Sequence, residues 1–259
     1  MKAVILAGGL GTRLSEETVF KPKPMVEIGN RPILWHILKI YSFYGVKEFI
    51  ICCGYKGYLI KEYFSNYFLH DSDVTFTMGS EKHSYDIHER GKDEWQITLI
   101  NTGENTNTAG RLKKVMKYLD PNETFFFNYG DGVADVNLNK LLDVHYKNNK
   151  KVTLTAVQPP ARFGALDIEG DTVIKFKEKP TGDNSWINGG YFVVEPTIFE
   201  KINEDKCSWE KDILPDLVDE NQLSAFKHDG FWHPMDTLRD RYKLEELWKN
   251  GKAKWKLWV

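Results

Sequence analysis

The sequence predicts an α/β protein with a doubly wound, mostly parallel central sheet and a smaller β-rich lobe beside it. Three observations carry this. Apolar runs of strand length alternate with segments of helical period through the first two-thirds of the chain. The run Thr124-Phe125-Phe126-Phe127-Asn128-Tyr129 is almost wholly apolar, as a strand covered on both faces of a parallel sheet must be. From Gln158 onward the alternation stops and short strands follow one another.

Each element has a local reason. Ala3-Val4-Ile5-Leu6 forms the first strand and empties into a glycine-rich turn. Ile33, Leu34, Ile37, Leu38 and Tyr41 then recur at helical spacing, with Gly45 as the stop. Phe49–Cys53 reads as a strand, residues 58–68 as a helix and Val74–Met78 as a strand. Residues 79–95 are polar and charged, predicting an excursion or hairpin off the sheet before the strand Gln96–Ile100. Beyond the Thr124–Tyr129 run, Leu138, Leu141, Leu142 and His145 mark a helix, and Val152–Val157 marks a strand.

One domain spanning 1–259 is expected, in three parts. Residues 1–157 form the first, and 158–236 form a second lobe carrying strands at Ala165–Ile168, Val173–Phe176 and Trp186–Val194. A last helix from Thr237 to Lys249 and a tail complete the chain. The tail, Trp255-Lys256-Leu257-Trp258-Val259, is apolar for a terminus and either docks on its own subunit or meets a neighbour.

Composition excludes several classes of function. The 35 basic and 37 acidic residues are dispersed and leave a formal charge of -2, so there is no basic stripe for nucleic acid. The N-terminus enters a strand at once, leaving no room for a signal peptide, and no apolar run reaches membrane-spanning length. The expected compartment is the cytoplasm. Cys52 and Cys53 lie in an apolar strand, and with Cys207 they show no redox or zinc spacing, which favours core packing.

The chemistry starts at Leu6-Ala7-Gly8-Gly9-Leu10-Gly11-Thr12-Arg13-Leu14. A buried strand opening into such a loop exposes backbone N–H donors to phosphate oxygens. A dinucleotide fingerprint is the rival reading, but Leu14 stands where the third glycine belongs. A plain structural turn is the other, and it leaves Arg13, Lys21 and Lys23 unexplained. Lys23, between Pro22 and Pro24, sits on a stiff, extended backbone that can aim its ammonium at a leaving pyrophosphate; a solvated loop lysine is the alternative.

Asp131, between Gly130 and Gly132, ends the buried strand at the sheet's carboxyl edge, where Mg2+ shared with substrate phosphates or an Asx turn would place it. Asp135 is a secondary candidate. Asp236 is either a metal ligand or the N-cap of the last helix. The small-residue loop Thr102–Arg111, with Thr106, Gly110 and Arg111, either reads a nucleobase or is simple turn chemistry. Glu178-Lys179-Pro180 and Asn188-Gly189-Gly190 suit sugar hydroxyls and a sugar phosphate. Phe163 and Tyr191 are candidates for stacking, although such aromatics more often belong to the core.

Taken together, Leu6–Leu14, Lys21-Pro22-Lys23-Pro24-Met25 and the two aspartates resemble the sugar-phosphate nucleotidyltransferases, with a Rossmann-like nucleotide-binding sheet. The resemblance implies that Leu6, Ala7, Gly8, Gly9, Leu10, Gly11, Thr12, Arg13, Lys23, Thr106, Gly110, Arg111 and Gly130 bind the nucleotide. It implies catalytic roles for Arg13, Lys23 and Asp131, and Mg2+ held by Asp131 and Asp236. Gly164, Glu178, Lys179, Asn188 and Gly189 would bind the sugar phosphate.

The segments Leu14–Thr18, Arg162–Asp167 and Met235–Asp240 resemble a subgroup that joins CTP to glucose 1-phosphate. Its product feeds dideoxyhexose synthesis for bacterial surface polysaccharide, including O-antigen. One departure is Ala109, where that pattern has a glycine before Gly110. Base choice follows from resemblance alone, so UTP or dTTP in place of CTP stays open, as does a non-catalytic sugar-nucleotide sensor. A homo-oligomer, with a hexamer as one form, is expected. The implied reaction needs no general base, because the attacking sugar phosphate is already ionised. This agrees with a sequence showing no Ser-His-Asp or Cys-His arrangement.

Overall fold

Seven strands hydrogen-bond into one central sheet: β1 (Ala3–Ala7), β2 (Glu48–Cys53), β3 (Gln96–Asn101), β4 (Phe125–Tyr129), β5 (Val152–Val157), β6 (Ile187–Val194) and β7 (Leu223–His228). The structure is a computed structural model and describes residues 1–79, 83–88, 91, 93–159, 165–169, 172–177 and 185–258. The spatial order is β7-β5-β6-β4-β1-β2-β3. All neighbours are parallel except at β6, which runs antiparallel to both β4 and β5. The mostly parallel, doubly wound sheet expected from the sequence is present.

Helices cover both faces, and the strand residues alternate accordingly. Ile5 of β1 packs on one side with α1 (Ile33–Phe43), α4 (Leu138–Asn148) and α6 (Leu238–Lys249), through Ile37, Leu141 and Leu244. Val4 packs on the other side with α3 (Thr108–Val115) and α5 (Leu214–Asp219), through Leu112 and Leu217. A further helix, α2 (Gly57–Ser65), follows β2 and adds Ile60 to the first core. Burial of β1, β2 and β4 on both faces explains why their sequences read as continuous apolar runs rather than alternating ones.

Strand β6 corrects one expectation. The sequence puts Trp186–Val194 in a second lobe, whereas Ile187–Val194 is inserted in the main sheet between β4 and β5. Tyr191, Phe192, Val193 and Val194 are all buried, so this run carries the same two-sided signal as Thr124–Tyr129. Among the described residues, the second lobe reduces to a two-stranded hairpin, Ala165–Glu169 with Thr172–Lys177. The excursion predicted for 79–95 is also a hairpin, Val74–Met78 with His83–Ile87, and it stands off the sheet.

The tail is settled on the side of its own chain. Trp255 is fully buried in the first core, beside Trp248 and Phe231, and its Nε1–H donates to His36 Nδ1 at 3.3 Å. His36 Nε2–H donates to the Ile28 carbonyl at 2.8 Å, which fixes the neutral tautomer. Cys52 and Cys53 are buried and unbridged, and burial pushes both thiols up, Cys53 to about 11, so core packing is their role. No helix of the described residues is long and apolar enough to cross a membrane.

Candidate active site

Strand order reverses at β1 and β4: from β1 the chain proceeds outward to β2 and β3, and then returns to place β4 on the other side. Ligands of open α/β sheets bind at such a switch point, beyond the carboxyl ends of the strands. A cleft of about 640 Å³ lies there, lined by the glycine loop Leu6–Arg13, Lys23, Gly130 and Asp131. Its volume suits a nucleotide-sized ligand.

The loop is braced from within. Gly11 adopts φ 65°, a left-handed turn, and leads into a 3-10 turn at Thr12–Leu14. Thr18, on the single helical turn Ser15–Thr18, donates its hydroxyl to the carbonyls of Gly11 and Leu14. Leu14 is fully buried and anchors the loop's far end in the core.

Lys23 departs from the expected extended backbone. Pro22 is extended, but Lys23–Met25 folds into a 3-10 turn closed by Met25 N–H to the Pro22 carbonyl at 2.8 Å. The turn buries Lys23 and aims its ammonium between two carboxylates: Asp131 Oδ2 at 2.8 Å and Asp236 Oδ1 at 2.6 Å. Burial disfavours this charge, yet the two aspartates outweigh burial and raise the lysine pKa above its ordinary value. Arg13 completes the group, with Nη1 at 2.7 Å from Asp236 Oδ2. Lys21 stays apart, paired with Glu27 at 3.2 Å.

The two aspartates meet because two short strands pair beneath them. Gly132–Ala134 runs antiparallel to Trp232–Pro234, with Gly132 opposite Pro234, and Met235 N–H donates to the Asp131 carbonyl at 2.8 Å. The choice between cap and ligand at Asp236 is also decided. Thr237 is the N-cap of α6, and a capping box with Asp240 closes the helix start. Asp240 Oδ2 also accepts the Asp236 N–H at 3.1 Å, and the Asp236 carboxylate faces Lys23 and Arg13. Asp135 takes no part in the cleft: Oδ1 accepts Phe231 N–H at 2.7 Å and lies 3.0 Å from His228 Nε2, clamping the turn before Trp232.

These residues fit a magnesium ion shared with substrate phosphates. Such an ion draws one or two carboxylates from the protein and takes its remaining oxygens from phosphate and water. Asp131 and Asp236 present their oxygens to a common point, now held by the Lys23 ammonium. Among the described residues there is no cluster of three or more His, Cys, Asp and Glu side chains that would form an all-protein cage.

The loop Thr102–Arg111 reaches the cleft unevenly. Thr106 lines it, with its hydroxyl donating to the Thr102 carbonyl at 2.6 Å. Arg111 also lines the cleft; almost fully buried, it donates to Thr102 Oγ1 and to the carbonyls of Gly103 and Glu104, so its guanidinium staples the loop. It also crosses Gly8, where an added Cβ would stand 2.1 Å from Nη1. Gly110 is not among the lining residues and packs against the Asp205 backbone. Gly130 lies against β1, with an added Cβ placed 2.2 Å from the Leu6 carbonyl oxygen.

Of the sugar-phosphate candidates, Gly164, Glu178 and Lys179 lie outside the described residues, as does Phe163. Asn188 donates to Tyr129 Oη at 3.2 Å, and the Gly189 carbonyl accepts Trp232 Nε1–H at 2.8 Å. Tyr191 is core. Sequence reading missed Tyr129, Ser208, Glu210 and Lys211 on the cleft wall. Ser208–Lys211 had no motif to announce it, because a wide helical turn at Trp209–Ile213 brings it in from a distant part of the chain.

Residues 2–249 match the family described as Nucleotidyl transferase. The chain is 57% identical, over the whole length of both proteins, to the glucose-1-phosphate cytidylyltransferase of Salmonella typhi. It is 40% identical, again over both full lengths, to a probable glucose-1-phosphate cytidylyltransferase of Bacillus subtilis. A crystal structure of HddC from Yersinia pseudotuberculosis complexed with GMP-PN superposes with a TM-score of 0.68 at 25% identity, covering 95% of this chain and 99% of that one.

Proposed function

The chain belongs to the nucleotidyl transferase family, and from that premise we propose that it transfers a cytidylyl group from CTP to α-D-glucose 1-phosphate, giving CDP-glucose and pyrophosphate. The supporting observation is the convergence of Arg13, Lys23, Asp131 and Asp236 at the mouth of the glycine-loop cleft. The full-length likeness to a glucose-1-phosphate cytidylyltransferase supports the choice of substrates.

The chemistry is dominated by charge. A phosphate oxygen of glucose 1-phosphate forms a bond to the α-phosphorus of CTP, and the α–β phosphoanhydride bond breaks in line. The nucleophile is ionised at neutral pH, so the protein has no proton to remove. Its task is to bring two anions together and to stabilise charge growing on the leaving pyrophosphate. Backbone N–H groups of the Gly8–Gly11 loop suit the triphosphate oxygens, while Arg13 and Lys23 supply positive charge beside them. Asp131 and Asp236 would hold Mg2+, which when bound supplies further neutralisation of the phosphates. Asn188 and Gly189, with Gly164, Glu178 and Lys179, form the sugar-phosphate side of this reading.

The same proposal includes the cytoplasm as compartment, a product used for dideoxyhexose and O-antigen synthesis, and a homo-oligomer such as a hexamer. Exposed Phe76, Met78 and Tyr85 on the 74–87 hairpin offer apolar surface for a second copy. Light scattering on the purified protein measures its assembly state. For the reaction, pyrophosphate release is measured with glucose 1-phosphate, Mg2+ and each of CTP, UTP, dTTP and GTP. Release with CTP above the others is expected. Release with UTP or dTTP alone would overturn the cytidylyl assignment, and no release with any of them would overturn the enzyme reading.

A further inference from the structure

Glu210 stands at the crossing of two hydrogen-bonded arms. Its Oε1 accepts the Tyr129 hydroxyl at 2.6 Å, and its Oε2 accepts the hydroxyls of Thr108 at 2.8 Å and Ser208 at 3.1 Å. Thr108 opens α3 on the nucleotide side of the cleft, and Tyr129 ends β4 immediately before Gly130-Asp131. Glu210, Thr108 and Tyr129 all line the cleft. The carboxylate is held there by its neighbour: Trp209 is fully buried against Phe127 and Phe192, and its N–H donates to Thr108 Oγ1 at 2.8 Å.

Donor and acceptor chemistry fixes the direction of every bond in the longer arm. Gly190 N–H can only donate, so Asn188 turns Oδ1 toward it, at 2.9 Å. The Asn188 Nδ2 amide therefore faces Tyr129 and donates to its oxygen at 3.2 Å. The tyrosine must then send its single hydrogen elsewhere, and the Glu210 carboxylate, which only accepts, receives it. An acceptor-only group at the crossing thus terminates both arms. Asn188 Nδ2 retains a second N–H with no partner among the described residues, a donor for a ligand hydroxyl or phosphate oxygen.

We propose that Glu210 is a positioning residue: by taking the Tyr129 hydrogen it leaves the phenol oxygen free to accept from Asn188, and so holds Asn188, already oriented by Gly190, as a hydrogen-bond donor to the sugar phosphate. The inference rests on the reading of Asn188 as part of the sugar-phosphate side. A glutamine at 210 keeps the shape but offers one oxygen and one amide nitrogen, so one arm loses its acceptor.

The test is steady-state kinetics of Glu210→Gln, Tyr129→Phe and the double variant, together with calorimetric binding of glucose 1-phosphate. In both single variants KM for glucose 1-phosphate should rise about tenfold, with KM for CTP and the melting temperature close to those of the parent. The double variant should be no worse than either single one, because the two residues act through one chain of bonds. Glu210→Asp, still acceptor-only, should recover part of the loss. An unchanged KM for glucose 1-phosphate in Glu210→Gln, while Asn188→Ala raises it, would overturn the inference and leave the functional reading intact. A rise confined to CTP would overturn it too. Failure of the parent protein to release pyrophosphate from any nucleoside triphosphate with glucose 1-phosphate would overturn both.

Discussion

Lys23 and Asp236 are 213 positions apart in sequence, yet Lys23 Nζ lies 2.6 Å from Asp236 Oδ1. The same ammonium holds Asp131 at 2.8 Å, so one lysine ties together the two carboxylates proposed to hold Mg2+. A cation entering that point would compete with the ammonium, and triphosphate oxygens would give the ammonium another partner.

Replacement of Lys23 by methionine should therefore have two opposite effects. Turnover should fall about a hundredfold or more, on the order of 3 kcal/mol of lost charge stabilisation. Binding of Mn2+ to the protein without nucleotide, followed by electron paramagnetic resonance, should tighten, because Asp131 and Asp236 are freed. Near-normal turnover would remove Lys23 from the reaction, and weaker Mn2+ binding would contradict the competition.

The capping box at the start of α6 also aims Asp236. Thr237→Ala removes the cap and should cost about 1 kcal/mol in urea unfolding. Asp240→Ala additionally releases the Asp236 N–H and should lower kcat about tenfold beyond the stability loss. Activity equal to that of Thr237→Ala would show that the Asp240 contact does not orient Asp236.

Close packing of β4 on β1 should make Gly130 intolerant of any side chain. An added methyl group would meet the Leu6 carbonyl oxygen at 2.2 Å, a backbone atom that no side-chain rotation can move away. Gly130→Ala should cost about 3 kcal/mol or more and should displace Asp131 with the strand end. Thermal unfolding and turnover, measured together, check both effects.

His36 should make the fold acid-sensitive. Burial lowers its pKa from 6.5 to about 4. The unfolded chain therefore binds a proton that the folded chain refuses between those values. Stability contributed by the neutral ring is complete above pH 6.5, declines as pH falls toward 4, and levels off below, with a total loss on the order of 3 kcal/mol. Urea unfolding at a series of pH values, followed by tryptophan fluorescence, should show this decline, and His36→Gln should flatten it.

Much of this architecture was readable locally. β1, β2, β4 and β5 announce themselves as apolar runs, and α1, α4 and α6 by their spacing or caps, because burial on both faces of a sheet or on one stripe of a helix leaves a direct pattern in the residues. The glycine loop was equally readable, since the strand-to-turn transition and the donors it exposes are properties of nine adjacent positions. Lys23, Asp131 and Asp236 could each be nominated, but each with a rival role.

Only the tertiary structure decided among those roles. Asp236 is released from capping because Thr237 takes the cap, and Asp135 becomes a turn clamp because the short strand at Trp232–Pro234 folds onto Gly132–Ala134. Placement of β6 in the main sheet, burial of the tail on its own chain, and the arrival of Glu210 at the cleft wall are of the same kind. Each depends on a contact between segments far apart in the chain, which local propensity does not encode. The sequence by itself determined which chemistry was available, through its loop, cations and carboxylates. The fold determined which of those groups share a site, because a charge acts on the groups within a few ångströms of it, wherever they stand in the chain.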